Sequence, residues 1–507
     1  MHSHLPVRRI SPHVALVENR FGLDIRLFAN DSVSLEKDAF SQLLEFASLA
    51  GTLEDIQSRP EQPGCCGFFG EAGARIERIV LTPDFHRGSG IPVGTVFDAR
   101  GFVVPRAIGN DIGCGMRLYA TDLPAEALEP HWKAITTRLR HLFFHGGRDI
   151  PMSPLQREAL LREGLPGLLS VASPNASRGL WRRVRPRGEE DEIARMFHGG
   201  GFSARGLFGF DALVRSSGRE DGRDPQIGSV GGGNHFVELQ RVEEIVDGAT
   251  AMAWGLRRGT LAIMVHSGSV GLGHAVGGHF MDLAHRIFPG AVPHPAHGFY
   301  VLPTGEHPGG KHAASYLDAM KNAANFAFAN RLFLGKMAEE AIACATGRTL
   351  ETRLVYDAPH NLVFEDGPSL LHRKGATPAG GPSCPDWLGQ PVIIPGSMGA
   401  ASWLCAGSGH FAALESACHG AGRSVPRGEA VHRGDPRALA RLRVVTPLDV
   451  DSPAVRLRRD ILEKHEKRLF EEAPSAYKDI GPVIESVQDA GIARRVARLS
   501  PLLTVKG

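Results

Sequence analysis

"LAIMVHSGS", residues 261–269, is a run of five apolar residues that meets a histidine and then breaks into serine and glycine. It reads as a buried strand opening into a Gly-rich loop, because it is too short for a helix and too apolar for an exposed segment. The same pattern recurs at "VVPRAIGNDIGCGM" (103–116), "GSVGGGNHFVE" (228–238), "LVYDAPHNLVFED" (354–366) and "QPVIIPGSMG" (390–399). Strands that end in polar loops, separated by helical stretches, predict a single large α+β unit whose chemistry lies at the strand ends.

Outward from these runs, residues 1–75 read as a leader region. The alternation in "HVALVENRFGLDIRLFAN" suggests strands, and "EKDAFSQLLEFASL" suggests an amphipathic helix. Short strand-like runs follow from 76 to about 120. The stretch at about 124–225 is more helical and more charged, and holds Arg178, Arg182, Arg183, Arg185 and Arg187 beside the acidic run "EEDE". That cluster is read as a solvated loop balanced by its acidic neighbours, or else as charge available to a nucleic acid. Residues 315–342 form a long helix with apolar residues at three and four spacing, and 453–472 a charged one. No internal repeat or linker divides the chain.

Composition excludes several classes. Lys and Arg total 57 against 55 acidic residues, so any nucleic-acid binding must come from a local patch. Seven cysteines, an odd number, do not form a secreted disulfide framework; together with the absence of an apolar leader or spanning run, this predicts a cytoplasmic protein with no membrane segment.

The polar residues at the strand ends are metal-ligand types. Asp111 and Cys114 lie three apart, and glycines flank the cysteine. With His235, His266 and His360 they make a carboxylate, thiolate and imidazole set suited to Zn, Mn, Fe or Co rather than Ca or Mg. His86, two residues after Asp84, is a further candidate on spacing alone. His419 in "CHGAGRSVPR" stands over a loop rich in backbone N–H groups with Arg423 and Arg427 close by, an arrangement suited to phosphate and to nucleophilic catalysis by the imidazole. "GEHPGGKH" (305–312) nearly fits a phosphate-binding loop, but the proline and the histidine in place of a hydroxyl speak against it. No Lys-x-Asp-Gly nucleotidyl-transfer signature is present.

From "PDFH" at 83 to the C-terminus, the ordered motifs "NDIGCGM", "GGGNHFVE", "VHSGSVGLGH", "HNLVFED", "HRKGATPA", "IIPGSMGAAS", "CHGAGR", "AYKDI" and "VKG" are similar to those of the RtcB family of RNA-splicing ligases. The resemblance implies one large domain (76–507) of mixed sheets, with an active site in a central cleft of strand-end loops and the 124–225 stretch as a divergent insertion. It implies joining of RNA 2',3'-cyclic phosphate or 3'-phosphate ends to 5'-hydroxyl ends, using GTP and two manganese ions. Asp111, Cys114, His235, His266 and His360 are then manganese ligands, and His419 carries the guanylyl group. Nucleotide contacts fall to Asn234, His235, Phe236, Val237, Glu238, His360, Asn361, Pro395, Gly396, Ser397, Met398, Ser402, His419, Gly420, Ala421, Gly422 and Lys478. Lys374, Arg423 and Arg427 remain for substrate phosphate, and an archease-like activator is an implied partner.

Three positions depart from the family pattern: Val270 and Pro378 stand where arginines are usual, and Pro426 where serine is. All three bear on the RNA ends. They leave open a metal-dependent phosphohydrolase or RNA-end-processing enzyme that has lost sealing.

Overall fold

The computed structural model describes residues 5–71, 73–172, 178–210, 226–307, 309–383 and 387–507. It is an α+β structure built on two large mixed sheets and a buried central helix. The first sheet orders seven strands as Val7–Ser11, Val14–Val17, Ile25–Phe28, Arg75–His86, Val93–Arg100, Ser369–Lys374 and Asn361–Asp366. The N-terminal strands thus continue the same sheet, through a parallel pairing of Ile25–Leu27 with Ile79–Leu81. Alternate residues split its faces: Ile79, Leu81 and Phe97 pack with the helices Lys37–Ala47 and Leu49–Gln57, whereas Val80 and Val96 pack with Val392 and Ile484 on the other side.

The second sheet runs Thr352–Pro359, Gly115–Pro124, Thr260–Ser267, Phe236–Ile245, Ala493–Val505, Ser402–Gly407 and Pro391–Ile394, with Val444–Val445 added parallel to the C-terminal strand. It curls toward a barrel. Met116, Met264, Val355, Ile393, Leu404 and Leu499, drawn from strands across the whole sheet, share one apolar core, and Gln390 hydrogen-bonds the Tyr356 hydroxyl across the two ends. The strand read from "LAIMVHSGS" lies at its centre, buried on both faces: Ala262 and Met264 enter that inner core, Leu261, Ile263 and Val265 the outer one.

The outer core is organised by the helix Gly310–Thr346. Every residue from Asn322 to Ala343 is buried, so this is a central helix rather than the one-faced helix its three and four spacing predicts. Buried polar residues give it hydrogen-bonding partners on all sides, which a purely apolar pattern conceals.

The arginine-rich stretch also differs from expectation. Arg182 and Arg183 each reach Glu340 of the central helix at 2.6 Å, and Glu340 is 1% exposed. Glu189 and Glu192 turn inward toward the fully buried Arg117, and Glu189 also meets Lys336 at 2.7 Å. Arg182, Arg183, Glu189 and Glu192 thus tie this stretch to the core. The side chain of Arg187 and residues 211–225 fall outside the described set. The charged segment 453–472 is two helices, Pro453–Arg456 and Arg459–Phe470, rather than one. Among the described residues no helix is long and apolar enough to cross a membrane.

Candidate active site

Four neighbouring strands of the second sheet deliver the ligand candidates to one edge. Gly115–Pro124 starts just after Cys114 and Phe236–Ile245 just after His235, while Thr260–Ser267 ends one residue past His266 and Thr352–Pro359 ends just before His360. Antiparallel pairing alternates starts and ends, so four separated motifs meet. Gly113, at φ +72°, brings this loop against the central helix, where a Cβ would lie 2.9 Å from Ala324 Cα. Gly231, at φ +86°, leaves room for the His235 ring, which a Cβ would meet at 2.7 Å.

Cys114 Sγ lies 3.2 Å from His235 Nε2 and 3.3 Å from His266 Nε2. His266 Nε2 is 3.2 Å from His360 Nε2, and His235 Nε2 is 3.2 Å from Asp111 Oδ2. These atoms form two groups, Cys114–His266–His360 and Asp111–Cys114–His235, that share the sulfur. Burial holds the His266 and His360 imidazoles far below the usual histidine range, so both are neutral with lone pairs to offer. Burial, then Asp111, pushes the Cys114 thiol well up. Two imidazole nitrogens facing each other beside a buried sulfur, with their ring planes inclined at 67°, fit a cation better than they fit one another. His86 belongs to neither group: its Nδ1 faces the Asp84 carbonyl at 2.7 Å, and burial lowers it to about 4.

His419 stands beside this cluster, its ring centroid 4.7 Å from that of His360. Its Nδ1 is 2.7 Å from Oδ2 of Asp84, which is fully buried and accepts a further bond from the Thr82 hydroxyl on Oδ1. Burial pushes the Asp84 carboxyl up, but the His419 hydrogen bond and charge outweigh it and keep the group ionised. In the neutral imidazole, an ionised acceptor at Nδ1 places the proton there and leaves Nε2 as the free nucleophilic nitrogen. Sequence spacing hides this pair, because its members are 335 residues apart.

A cavity of about 300 Å³ opens on these groups. Asp111, Cys114, His266, His360 and His419 line one part, with Asn234, Phe236, Glu238, Asn361, Lys374, Pro395, Gly396, Ser397, Met398, Gly420, Ala421, Gly422, Arg423 and Arg427 around them. His235 packs behind, against Cys114 and Asp111. Three further expected contacts do not line the cavity. Val237 points into the outer core, as strand alternation between Phe236 and Glu238 requires. Ser402 lies behind the wall, accepting from Gly396 N and Gln240 Nε2. Lys478 donates to the Phe85 carbonyl at 2.6 Å, and burial lowers its ammonium to about 8.

Besides Lys374, the cavity is lined by Lys506, in the terminal "VKG". Its Nζ donates to Gly233 O at 2.6 Å. Beside it the Thr504 hydroxyl donates to Glu238 Oε1 at 2.6 Å, and Gln240 Nε2 donates to Oε2 at 2.7 Å. Burial pushes the Glu238 carboxyl up to about 7, against the pull of Thr504, Gln240 and Lys506. Glu472 gathers Arg423 Nη1 at 3.3 Å, Arg427 Nε at 3.2 Å and the Tyr477 hydroxyl, and all four residues line the cavity. Lys374 is tied to the Ile108 carbonyl at 2.7 Å. Of the three departures, none lines the cavity: Pro378 is buried opposite Ser416, Pro426 precedes the helix Arg427–Arg433, and Val270 holds φ +52° ahead of the helix Gly271–Ile287.

Residues 72–507 match the family model described as "tRNA-splicing ligase RtcB". The chain is 32% identical, over 544 aligned positions covering all of both chains, to the tRNA-splicing ligase RtcB of Thermococcus kodakarensis. It is 34% identical to the RNA-splicing ligase RtcB of Mycobacterium tuberculosis, over 84% of this chain and 96% of that one. Its identity to the tRNA-splicing ligase RtcB of Pyrobaculum aerophilum is 31%, over 95% of this chain and 94% of the relative.

Proposed function

Because the chain belongs to the RtcB family, we propose that it is an RNA ligase that joins 2',3'-cyclic phosphate or 3'-phosphate ends to 5'-hydroxyl ends through a His419–GMP intermediate, with GTP as co-substrate. The observation that carries this reading is the Asp84–His419 pair set against the Cys/His cluster. An imidazole with its Nδ1 proton held and its Nε2 free has the form of a nucleophile toward phosphorus.

In this reading His419 Nε2 attacks the α-phosphorus of GTP. The N–P bond forms, the bond to pyrophosphate breaks, and the Nδ1 proton stays with the Asp84 hydrogen bond. The guanylyl group then passes to an oxygen of the RNA 3'-phosphate, produced by hydrolysis where the end is cyclic, and the 5'-hydroxyl displaces GMP. Asp111, Cys114, His235, His266 and His360 would hold two manganese ions with Cys114 shared, since the sulfur belongs to both groups. Bound there, the ions supply Lewis-acid polarisation of phosphoryl oxygens and neutralise charge on the nucleotide.

The nucleotide contacts of this proposal are Asn234, Phe236, Glu238, Asn361, the backbone from Pro395 to Met398 and from Gly420 to Gly422, and Lys506 in place of Lys478. Glu238 suits guanine because a carboxylate accepts from its N1–H and N2–H donors. Lys374, Arg423 and Arg427 are assigned to substrate phosphate. The proposal includes an archease-like activator and a cytoplasmic setting, which the free thiols among the described residues support. It treats residues 1–75 as a leader packed on a catalytic domain of 76–507.

Incubation with RNA carrying the two end types, GTP and manganese tests the reading: joined product that requires GTP is expected. Phosphate release without GTP, and no joined product, would favour the phosphohydrolase that the three departures leave open.

A further inference from the structure

Asn330 and Arg331 are adjacent, fully buried residues in the middle of the helix Gly310–Thr346, and neither lines the cavity. Arg331 Nη1 donates to the carbonyls of Gly113 at 2.8 Å and Ser267 at 3.1 Å, the residues just before Cys114 and just after His266. Its Nε lies 2.8 Å from Asp357 Oδ1, on the strand that ends next to His360. Arg117 holds the other oxygen of Asp357 at 3.1 Å. Asn330 secures the remaining segment. Its Oδ1 accepts from Gly228 N at 2.7 Å and Ser229 N at 3.1 Å, and its Nδ2 donates to the carbonyls of Ser229 and Gly268, each at 3.0 Å. A third contact from Nδ2 reaches Ser267 Oγ at 3.1 Å.

We infer that Asn330 and Arg331 are positioning residues for the metal centre, a two-residue post that fixes the backbone carrying Cys114, His235, His266 and His360. The inference rests on the reading of those four residues as metal ligands. Its physical content is selectivity of attachment. Asn325, five residues earlier on the same helix, is equally buried and equally satisfied: it accepts from Phe202 N at 2.8 Å and donates to the carbonyls of Phe202 at 2.8 Å and Leu161 at 3.0 Å. Those bonds end on residues remote in sequence from any ligand. Every bond of Asn330 and Arg331 ends on a segment that leads into a ligand, and a rigid helix at that point holds ligand atoms in register.

The test titrates manganese into the metal-stripped full chain by calorimetry, for wild type, Asn330→Ala, Arg331→Lys and the matched control Asn325→Ala, with thermal unfolding of each metal-free protein. Asn330→Ala and Arg331→Lys are expected to weaken manganese binding by about 10–100-fold. Asn325→Ala is expected to bind as wild type does despite a comparable fall in Tm. Should Arg331→Lys fail to fold, Asn330→Ala alone decides. Wild-type affinity in Asn330→Ala, or an equal loss in Asn325→Ala, would overturn the positioning role while leaving the ligand reading intact. A wild-type protein that takes up no manganese would remove the ligand reading and this inference with it.

Discussion

Oδ2 of Asp84 lies 2.7 Å from Nδ1 of His419; the carboxylate is fully buried on the strand Arg75–His86, while the imidazole faces the cavity. Asparagine at position 84 keeps the shape but loses the charge that fixes the tautomer. Asp84→Asn is therefore predicted to slow covalent labelling of His419 by roughly 10²–10⁴-fold while nucleotide affinity stays near wild type. Single-turnover labelling alongside equilibrium GTP binding separates the two; unchanged labelling would remove Asp84 from the reaction.

The same pair sets an acid limit. His419 holds the Asp84 carboxyl below its usual range despite burial. A lowered folded-state pKa gives stability that is present above the unfolded value of about 4 and is lost as pH falls through the folded value. Wild type is predicted to lose more stability between about pH 5 and pH 3 than Asp84→Asn does, as read from denaturant midpoints.

Glu238 titrates in the opposite sense. Burial raises its carboxyl to about 7, so its contribution to folding is fully present below the unfolded pKa of about 4.3 and is lost as pH rises through the folded value. The ionised form is the one that accepts from guanine. GTP binding is predicted to tighten between pH 6 and pH 8, and Glu238→Gln to abolish that dependence. A pH-independent Kd in wild type would exclude Glu238 from base recognition.

Lys506 and Lys478 are predicted to differ in their effect on nucleotide binding, since Lys506 lines the cavity and Lys478 does not. Lys506→Ala is predicted to weaken GTP binding by about 10–100-fold, the range expected for one charge-assisted hydrogen bond of roughly 1.5–3 kcal/mol, and, because it strands the Gly233 carbonyl, to lower Tm as well. Lys478→Ala, which strands the Phe85 carbonyl, is predicted to lower Tm and leave GTP affinity within a few-fold. The reverse pattern would restore Lys478 to the site.

Val270 combines a branched side chain with φ +52° at the start of the helix Gly271–Ile287. Val270→Arg restores the charge usual in this loop. It is predicted to tighten RNA binding by about tenfold or more and to steepen the salt dependence by about one phosphate contact. Labelling by GTP should not change. RNA affinity equal to wild type would show that other cations already hold the RNA end.

Much of the architecture and the cluster was legible because strand-end chemistry is local. "LAIMVHSGS" and its counterparts put ligand types directly after buried strands, and antiparallel pairing did the rest. What stayed hidden was relational. Asp84 looked like a companion of His86 until the fold set it against His419. Lys478 and Lys506 both sit in recognisable motifs, "AYKDI" and "VKG", but Lys506 comes beside Glu238 only because the C-terminal strand pairs with Phe236–Ile245. The arginines at 182 and 183 looked solvent-bound, because Glu340 lies more than 150 residues away on a helix whose full burial no single-face pattern reveals. Asn330 and Arg331 read as ordinary helix positions for the same reason.

The central claim is that His419 carries a covalent guanylyl group. Incubation of the full chain with α-labelled GTP and manganese, followed by denaturing electrophoresis and acid treatment, tests it directly. The account predicts a labelled band that is acid-labile, as a phosphoramidate is, and absent from His419→Ala. An acid-labile band that persists in His419→Ala, or no band from wild-type protein shown to hold manganese, would contradict it.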